Sequence, residues 1–287
     1  MTPSFVVLVD LSAAAEQAAR YAAVLGAPLH VQLELVNVEQ DPVLSSELAF
    51  APMPYLPQLQ TETEDALQAL AHRLPTPAEA TVSVAPMPDA VQAAITRHHP
   101  LLLVMSLSAE QGLVDYLLRN HLLPVLRATH LPLLLVPEAG PPPGLPRRVL
   151  VAVDGEPFTP NTAARRLLPL LASWSAVYTV THAVAPGEQQ AFAGQRVLGQ
   201  LRLSKLLPAA AQVELYEQHH LDPAAGVLQA LTDTQADLLV LIARPRNFLE
   251  RRFHRSVTAE VLRRSLVPVL LVPAEAPELP GWMPNMS

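Results

Sequence analysis

The heptapeptide LPLLLVP, from Leu131 to Pro137, returns with two substitutions as VPVLLVP, from Val267 to Pro273. Unbroken runs of Val and Leu are typical of strands that are buried on both faces, as in parallel sheets. A proline lacks a backbone donor, so the prolines limit each strand to the residues between them. The repetition indicates that the chain contains two copies of one structural unit.

Further similarity lies upstream of both heptapeptides. Each is preceded by an apolar strand, a loop and an amphipathic helix, in the blocks 101–137 and 238–273. Each half of the chain also opens with a buried strand that ends in an aspartate, Asp10 in the first half and Asp154 in the second. Between the halves lies the run EAGPPPGLP, which neither a helix nor a strand tolerates.

The alternation of strands and helices predicts an α/β fold with two tandem doubly wound parallel-sheet domains. The predicted divisions are domain 1 at 1–138, a Pro/Gly linker at 139–147, domain 2 at 148–275 and a tail at 276–287. Strands are predicted at 5–10, 29–38, 79–85, 101–106 and 131–136, then at 148–153, 176–184, 211–217, 237–243 and 267–272. Helices of the first half are predicted at 12–26, 59–73, 88–98 and 119–129, and the same element order is expected in the second half.

Such a fold has its ligand site at a defined place. In open α/β sheets, ligands bind beyond the carboxyl ends of the strands, where the strand order reverses. If the first strand lies beside the fourth, that crevice is lined by Asp10 or Asp154 and by the loop after strand four. An aspartate after a strand is also a common turn former or helix cap, so the role of each stays open.

Composition narrows the classes of function. The formal net charge of −7 disfavours a general affinity for nucleic acid, and no apolar run is long enough to cross a bilayer. With no cysteine and no signal-like start, a cytoplasmic protein without disulfides is expected. The 10 glycines are few, whereas phosphate-binding loops rely on glycine. The one lysine, Lys205, lies in an apolar-periodic stretch, so no P-loop lysine is present.

The stretch VVLVDLS, from Val6 to Ser12, and the strand–loop–helix–strand block of both halves resemble the universal stress protein family. The most specific piece is RSVTAEVL, from Arg255 to Leu262, which leads into the last apolar strand. The resemblance implies two adenine-nucleotide α-hydrolase-like domains and covers nearly the whole chain. Relatives include single-domain dimers and tandem two-domain chains.

ATP-binding members of the family carry the pattern Gly-x2-Gly-x9-Gly-Ser/Thr after strand four. In the first half Ser106 stands at the first glycine position and Asn120 at the hydroxyl position. In the second half Ala243 and Arg246 stand at the first two glycine positions, and Ser256 retains the hydroxyl. The resemblance therefore implies lost or weakened nucleotide binding, with no cofactor expected. ATP or another adenine nucleotide, bound by domain 2, is the alternative.

The second half offers an anion site of another kind. Arg244, Arg246 and Arg255 lie in a loop that delivers Ser256 to a helix N-terminus, where amides and guanidinium groups favour phosphate or an anionic partner. Asp154 is a candidate contact to a ribose or base by its position. The alternative interpretation is a solvated arginine-rich surface paired with neighbouring glutamates.

Neither a metal site nor catalysis is predicted. The pairs His98-His99 and His219-His220 are interpreted as solvated loop histidines, because no HExxH-type spacing or cysteine supports them. No Gly-x-Ser-x-Gly elbow and no Gly-x-Gly-x-x-Gly turn occurs, which disfavours a hydrolase and an NAD or FAD enzyme. The expected function is that of a non-catalytic stress-response protein that acts through an unknown protein partner or a conformational change.

The last strand of each half is predicted to be an apolar sheet edge, which proteins usually pair or cover. In related dimers this strand pairs with its twin. We therefore predict that 133–136 and 269–272 pair within one chain and form a pseudo-dimer. Whether two such chains then form a homodimer stays open.

Overall fold

The computed structural model describes residues 2–38, 56–107, 129–183, 193–218, 222–244 and 257–275. The first half contains β1 (Ser4–Leu8), α1 (Ala13–Gly26), β2 (Gln32–Val38), α2 (Leu56–Arg73), β3 (Ala78–Ser83), α3 (Met87–His98), β4 (Leu102–Leu107) and β5 (Leu133–Pro137). The second half contains β6 (Arg148–Val153), β7 (Thr159–Pro160), α4 (Thr162–Arg165), α5 (Leu168–Ser173), β8 (Val177–Ala183), α6 (Ala193–Ser204), β9 (Val213–Gln218), α7 (Pro223–Thr234), β10 (Leu238–Ala243), α8 (Val257–Arg264) and β11 (Val269–Glu275).

The strands form one continuous sheet in the order β3-β2-β1-β4-β5-β11-β10-β6-β8-β9. The neighbours in this order are parallel within each half, which confirms the predicted α/β class. The two-residue strand β7 lies off this order and pairs antiparallel with the end of β11. At the middle of the sheet β5 and β11 are antiparallel, with Leu134 opposite Leu270. The predicted pairing of the two last strands within one chain is therefore confirmed.

The apolar strands are buried because helices cover both faces of this sheet. Alternate side chains of β1 point to opposite faces: Phe5 and Val7 join one apolar cluster, and Val6 and Leu8 join the other. Each cluster contains residues of both halves, so the core is continuous across the β5–β11 junction. Burial on both faces explains why the strand sequences do not alternate between apolar and polar.

The segment after the first strand differs between the halves. In the first half it is α1, which starts as predicted with the Ser12 hydroxyl accepting a hydrogen bond from the Ala15 amide (3.1 Å). In the second half the prediction of one helix is wrong, because the chain forms the short strand β7 and then two short helices, α4 and α5. Pro157 and Pro160 lie in this segment and lack the amide donors that a helix interior needs.

The broken segment contacts the first half. The buried indole of Trp174 donates a hydrogen bond to the Leu25 carbonyl (3.2 Å). Arg166 donates to the carbonyl of His99 (3.0 Å), and Asn161 donates to that of His130 (2.8 Å). Among the described helices, none combines the length and the apolarity that crossing a membrane requires.

Candidate functional site

The strand order places one crevice in each half. The first strand lies beside the fourth in both, as β1 beside β4 and β6 beside β10. The sequence order of the strands reverses at these two pairs, so the loops beyond their carboxyl ends diverge and leave a cleft. Asp10 follows β1, whereas Asp154 follows β6 and Arg244 follows β10.

Asp10 forms a local turn in the first crevice. Its carboxylate Oδ1 accepts hydrogen bonds from the backbone amide (3.0 Å) and the hydroxyl (2.6 Å) of Ser12. Leu11, between them, has a left-handed φ of 62°. Asp10 therefore orients the residue that caps α1, which is the turn-forming role that the sequence leaves open for it.

Asp154 begins the same turn in the second crevice. Its Oδ1 accepts a hydrogen bond from the Glu156 amide (3.2 Å), and Gly155 between them has a φ of 78°. A Cβ on Gly155 would lie 2.5 Å from Cε1 of His182, so the position excludes a side chain on steric grounds as well. His182 is buried and is held by a hydrogen bond between its Nδ1 and the Val153 carbonyl (3.1 Å).

Arg244 fills the end of the second crevice. It is only 9% exposed, and its guanidinium donates to Asp154 Oδ1 (2.6 Å) and Glu156 Oε2 (3.0 Å). The same group also donates to the backbone carbonyls of Glu156 and Pro157. Planar guanidinium groups suit such forked contacts to carboxylates. The described contacts therefore fold Arg244 inward, onto the turn that follows β6.

This arrangement changes the electrostatics that a phosphate would meet. One guanidinium faces two carboxylates, so the three side chains together carry a formal charge of −1. The carboxylates of Asp154 and Glu156 are 45% and 68% exposed, whereas the Arg244 side chain is 10% exposed. Negative charge consequently faces the solvent at this turn, which disfavours an anionic ligand.

The sheet register corrects the equivalence drawn between the two loops after strand four. Ser106 pairs with Val136 and Ile242 pairs with Val272, at the same position of the two heptapeptides. Ile242 is therefore the counterpart of Ser106 in the sheet, so Ser106 and Ala243, both assigned to the first glycine position, are not equivalent in register. Ala243 pairs with Pro273, as Leu107 pairs with Pro137.

Some of the site residues predicted for the loops lie within the described part of the chain, and others do not. Asp154, Ala243 and Arg244 lie together at the carboxyl end of the second sheet half. The others lie outside the described residues: Asn120, Arg246, Arg255 and Ser256. Sequence reasoning missed Glu156 and His182, although the Asp-Gly-Glu sequence at 154–156 signals a tight turn whose third residue returns toward the first.

The interpretation of His98 as a solvated loop residue is wrong. It is the last residue of α3 and is only partly exposed. Its Nε2 lies 3.5 Å from the carboxylate Oε2 of Glu34, a buried residue in the middle of β2. No sequence pattern connects these two residues, because only the packing of α3 on β2 brings them together.

Fold and site define the class of this protein. Two open α/β units with the strand order 3-2-1-4-5 are joined through their last strands, and each has a crevice beyond its first and fourth strands. A sequence profile of the universal stress protein family matches residues 1–137 and again 146–273. The chain belongs to the universal stress protein family and contains two tandem copies of its domain.

Solved structures agree with this assignment at the level of the fold. A universal stress protein from Archaeoglobus fulgidus DSM 4304 is 18% identical, with a TM-score of 0.66 over 94% of this chain and 96% of its own. A functionally unknown protein from Pseudomonas aeruginosa PAO1 is 14% identical, with a TM-score of 0.54 over 94% and 92%. Curated protein sequences gave no significant match.

Proposed function

We propose that this protein is a non-catalytic tandem universal stress protein whose nucleotide binding is lost or weakened, and that it acts through a protein partner or a conformational change. Membership of the family implies the stress-response role. The observation that carries the finer proposal is the engagement of Arg244 by the turn after β6. An ion pair within the protein takes the place that an anionic ligand would need.

Two further features support weak nucleotide binding. Glycines of the family's pattern are replaced at and after the end of strand four, by Ser106 in the first half and by Ala243 and Arg246 in the second. A side chain at such a position keeps the backbone amides away from a phosphate. In addition, the described carboxylates of the second crevice, Asp154 and Glu156, repel a phosphate chain.

The described crevice also lacks the geometry of a catalytic pair. Asp154 and Glu156 bind the Arg244 guanidinium, and the His182 imidazole bonds to a backbone carbonyl. General-base or nucleophilic catalysis needs a base within reach of a nucleophile that faces the substrate. Neither is formed by the described residues of this crevice, which favours a binding or signalling role.

Thermal denaturation with ATP, AMP and cyclic nucleotides at millimolar concentration tests the proposal. A ligand present at 100 times its Kd stabilises a folded protein by about 2.7 kcal/mol, so binding must raise the melting temperature. We expect no nucleotide-dependent rise. A rise that the Ser256→Ala or Arg255→Ala variant abolishes would instead support the alternative, an adenine-nucleotide-binding stress protein that uses domain 2.

The Arg244→Ala variant tests whether the Arg244 side chain itself blocks the crevice. If it does, the variant gains a nucleotide-dependent rise that the wild type lacks. If neither protein responds, the missing glycines or the repulsion by Asp154 and Glu156, which the variant leaves without their cation, suffice. The Arg20→Ala variant, at an exposed helix position, is the matched control for the loss of one positive charge.

A further inference from the structure

A buried carboxylate without a full set of partners lies in the first half, in the middle of β2. The side chain of Glu34 is 4% exposed. Its Oε1 accepts a hydrogen bond from the Thr81 hydroxyl (2.6 Å), whereas its Oε2 is buried and has no hydrogen-bond partner among the described residues. An ionised carboxylate is costly to bury unless a charge or a donor compensates it. The position of Glu34 therefore calls for a compensating group.

A second carboxylate lies directly beside it. Glu79 of β3 is the register partner of Glu34, so the two side chains leave neighbouring parallel strands on the same face. Like charges that face each other across strands destabilise a sheet. Gln32 orients the second carboxylate by donating a hydrogen bond to Glu79 Oε1 (2.9 Å). The pair concentrates negative charge where one member is shielded from water.

His98 completes the cluster from the helix layer. The Ser4 hydroxyl donates to the His98 carbonyl (3.0 Å), and this bond ties the end of α3 to the start of β1. One ligand atom of each of Glu34, Glu79 and His98 lies within 4.8 Å of the other two. The backbone around all three residues is regular strand or helix, so their Cα positions are fixed by the fold.

We propose that Glu34, Glu79 and His98 bind a divalent transition-metal ion of the zinc class. Two carboxylate oxygens and one imidazole nitrogen are three of the four ligands of a tetrahedral site, and water supplies the fourth. The ion neutralises the two carboxylates and gives Glu34 Oε2 its missing partner. This site is independent of the crevices and of the proposed loss of nucleotide binding.

The distance between Glu34 and His98 is longer than a direct hydrogen bond and is compatible with an ion between them. A charge-assisted hydrogen bond brings nitrogen and oxygen to about 2.7–2.9 Å. Ligands bound at about 2.0–2.1 Å to a tetrahedral zinc ion are instead about 3.4 Å apart. The observed separation of Oε2 and Nε2 is 3.5 Å.

The ligand types also distinguish between metals. Imidazole suits zinc and its neighbours in the first transition row, whereas Ca²⁺ and Mg²⁺ are bound through oxygen and need more ligands. The described cluster supplies only two carboxylates, Glu34 and Glu79. We therefore expect zinc to bind much more tightly than magnesium or calcium.

Calorimetric titration of Zn²⁺ into the chelator-treated full-length protein tests the proposal. In the variants Glu34→Gln and His98→Asn, the affinity of the tightest zinc site should fall by about 100-fold or more. His99→Asn is the matched control, because it alters the neighbouring histidine and asparagine tolerates its left-handed φ of 46°. Thr81→Val, which removes the hydrogen bond to Glu34, should weaken binding by about 10-fold.

A second readout remains informative if one variant folds poorly. Zinc should raise the melting temperature of the wild type and of His99→Asn, and it should not raise that of His98→Asn. Glu34→Gln should melt higher than the metal-free wild type, because it removes the charge of a buried carboxylate that faces Glu79. Equal zinc affinity of the wild type and His98→Asn, or magnesium binding as tight as zinc binding, would overturn the proposal.

Discussion

The Arg244 side chain supplies four hydrogen bonds to the turn that borders the second crevice. Its guanidinium is almost fully buried, yet the carboxylates that it contacts on Asp154 and Glu156 remain open to solvent. Removing it therefore leaves two charges that water can reach and four acceptors without their donor. Such a loss costs less than breaking a fully buried pair, which is worth about 3–5 kcal/mol.

We predict that Arg244→Ala lowers the free energy of unfolding by about 1–3 kcal/mol, because hydrogen bonds to charged groups are lost. Urea denaturation measures this change. Arg20→Ala removes an exposed pair with Glu16 on α1 and should cost less than about 0.5 kcal/mol. Equal losses in the two variants would contradict the structural role assigned to Arg244.

Gly155 permits a second test at the residue scale. A side chain there would meet the buried His182 ring and would also be strained by the left-handed φ. Gly155→Ala should therefore lower the free energy of unfolding by about 1–3 kcal/mol. Gly199→Ala, within α6, is the control, because a Cβ there meets no atom of the described residues within 4 Å. That variant should gain about 0.5–1 kcal/mol in urea denaturation.

Single residues were only partly predictable from the sequence. The positions of Asp10 and Asp154 follow from the strand pattern, since each directly follows an apolar run. The inward orientation of Arg244 does not, because sequence spacing says nothing about the direction of a side chain in a loop. The proximity of Glu34 and His98 likewise depends on tertiary packing between residues 64 positions apart.

At the scale of elements, Tyr216 on β9 and Asp233 on α7 join a strand to a helix by a short hydrogen bond. That bond, and then one from Gln229, hold the pKa of the Asp233 carboxyl below its usual value of 3.8. Burial and the same carboxylate raise the pKa of Tyr216 to about 12. At neutral pH the uncharged Tyr216 hydroxyl therefore donates to an ionised Asp233 carboxylate.

We predict that Tyr216→Phe destabilises the protein at pH 7 and that this difference shrinks in acid. A carboxyl with a depressed pKa in the folded state stabilises the fold above its unfolded pKa, and the contribution is lost as the pH falls through the folded pKa. Thermal denaturation between pH 7 and pH 3 measures the difference. Tyr178→Phe is the control, because that hydroxyl donates to the Leu171 carbonyl and its loss should not vary over this range.

The sequence predicted where strands and helices begin better than it predicted whether a helix is interrupted. Buried strands such as β4 and β10 are apparent from their Val/Leu runs, and the start of α1 is apparent from Ser12. The division of the second half's first helix into β7, α4 and α5 was not predicted. Prolines mark where a helix is unfavourable, but they do not specify the alternative that packing selects.

At the scale of the whole molecule, the two halves act as one folded body. The antiparallel pair β5–β11 continues the sheet, both apolar clusters cross the junction, and Trp174 is hydrogen-bonded across it. The repeated heptapeptide predicted this junction, since two apolar edges satisfy each other's backbone groups. The contacts of Trp174 and Arg166 with the first half were not apparent from sequence.

We therefore predict that the halves stay together after the linker is cut. A site for a specific protease, inserted between Pro143 and Gly144, would allow cleavage of the folded protein. Both fragments should co-elute in size-exclusion chromatography at the position of the uncut variant and separate only in denaturant. Separate elution under native conditions would show that the β5–β11 pairing does not hold the halves together.

The reversal of strand direction at β5–β11 has a consequence for binding. The loop of Asp10 and the loop of Arg244 emerge from opposite ends of the strands in the common sheet. Strands of five to seven residues separate these ends by about 20 Å. A small molecule therefore cannot bridge both loops. The two crevices are separate surfaces that face away from each other along the strand direction.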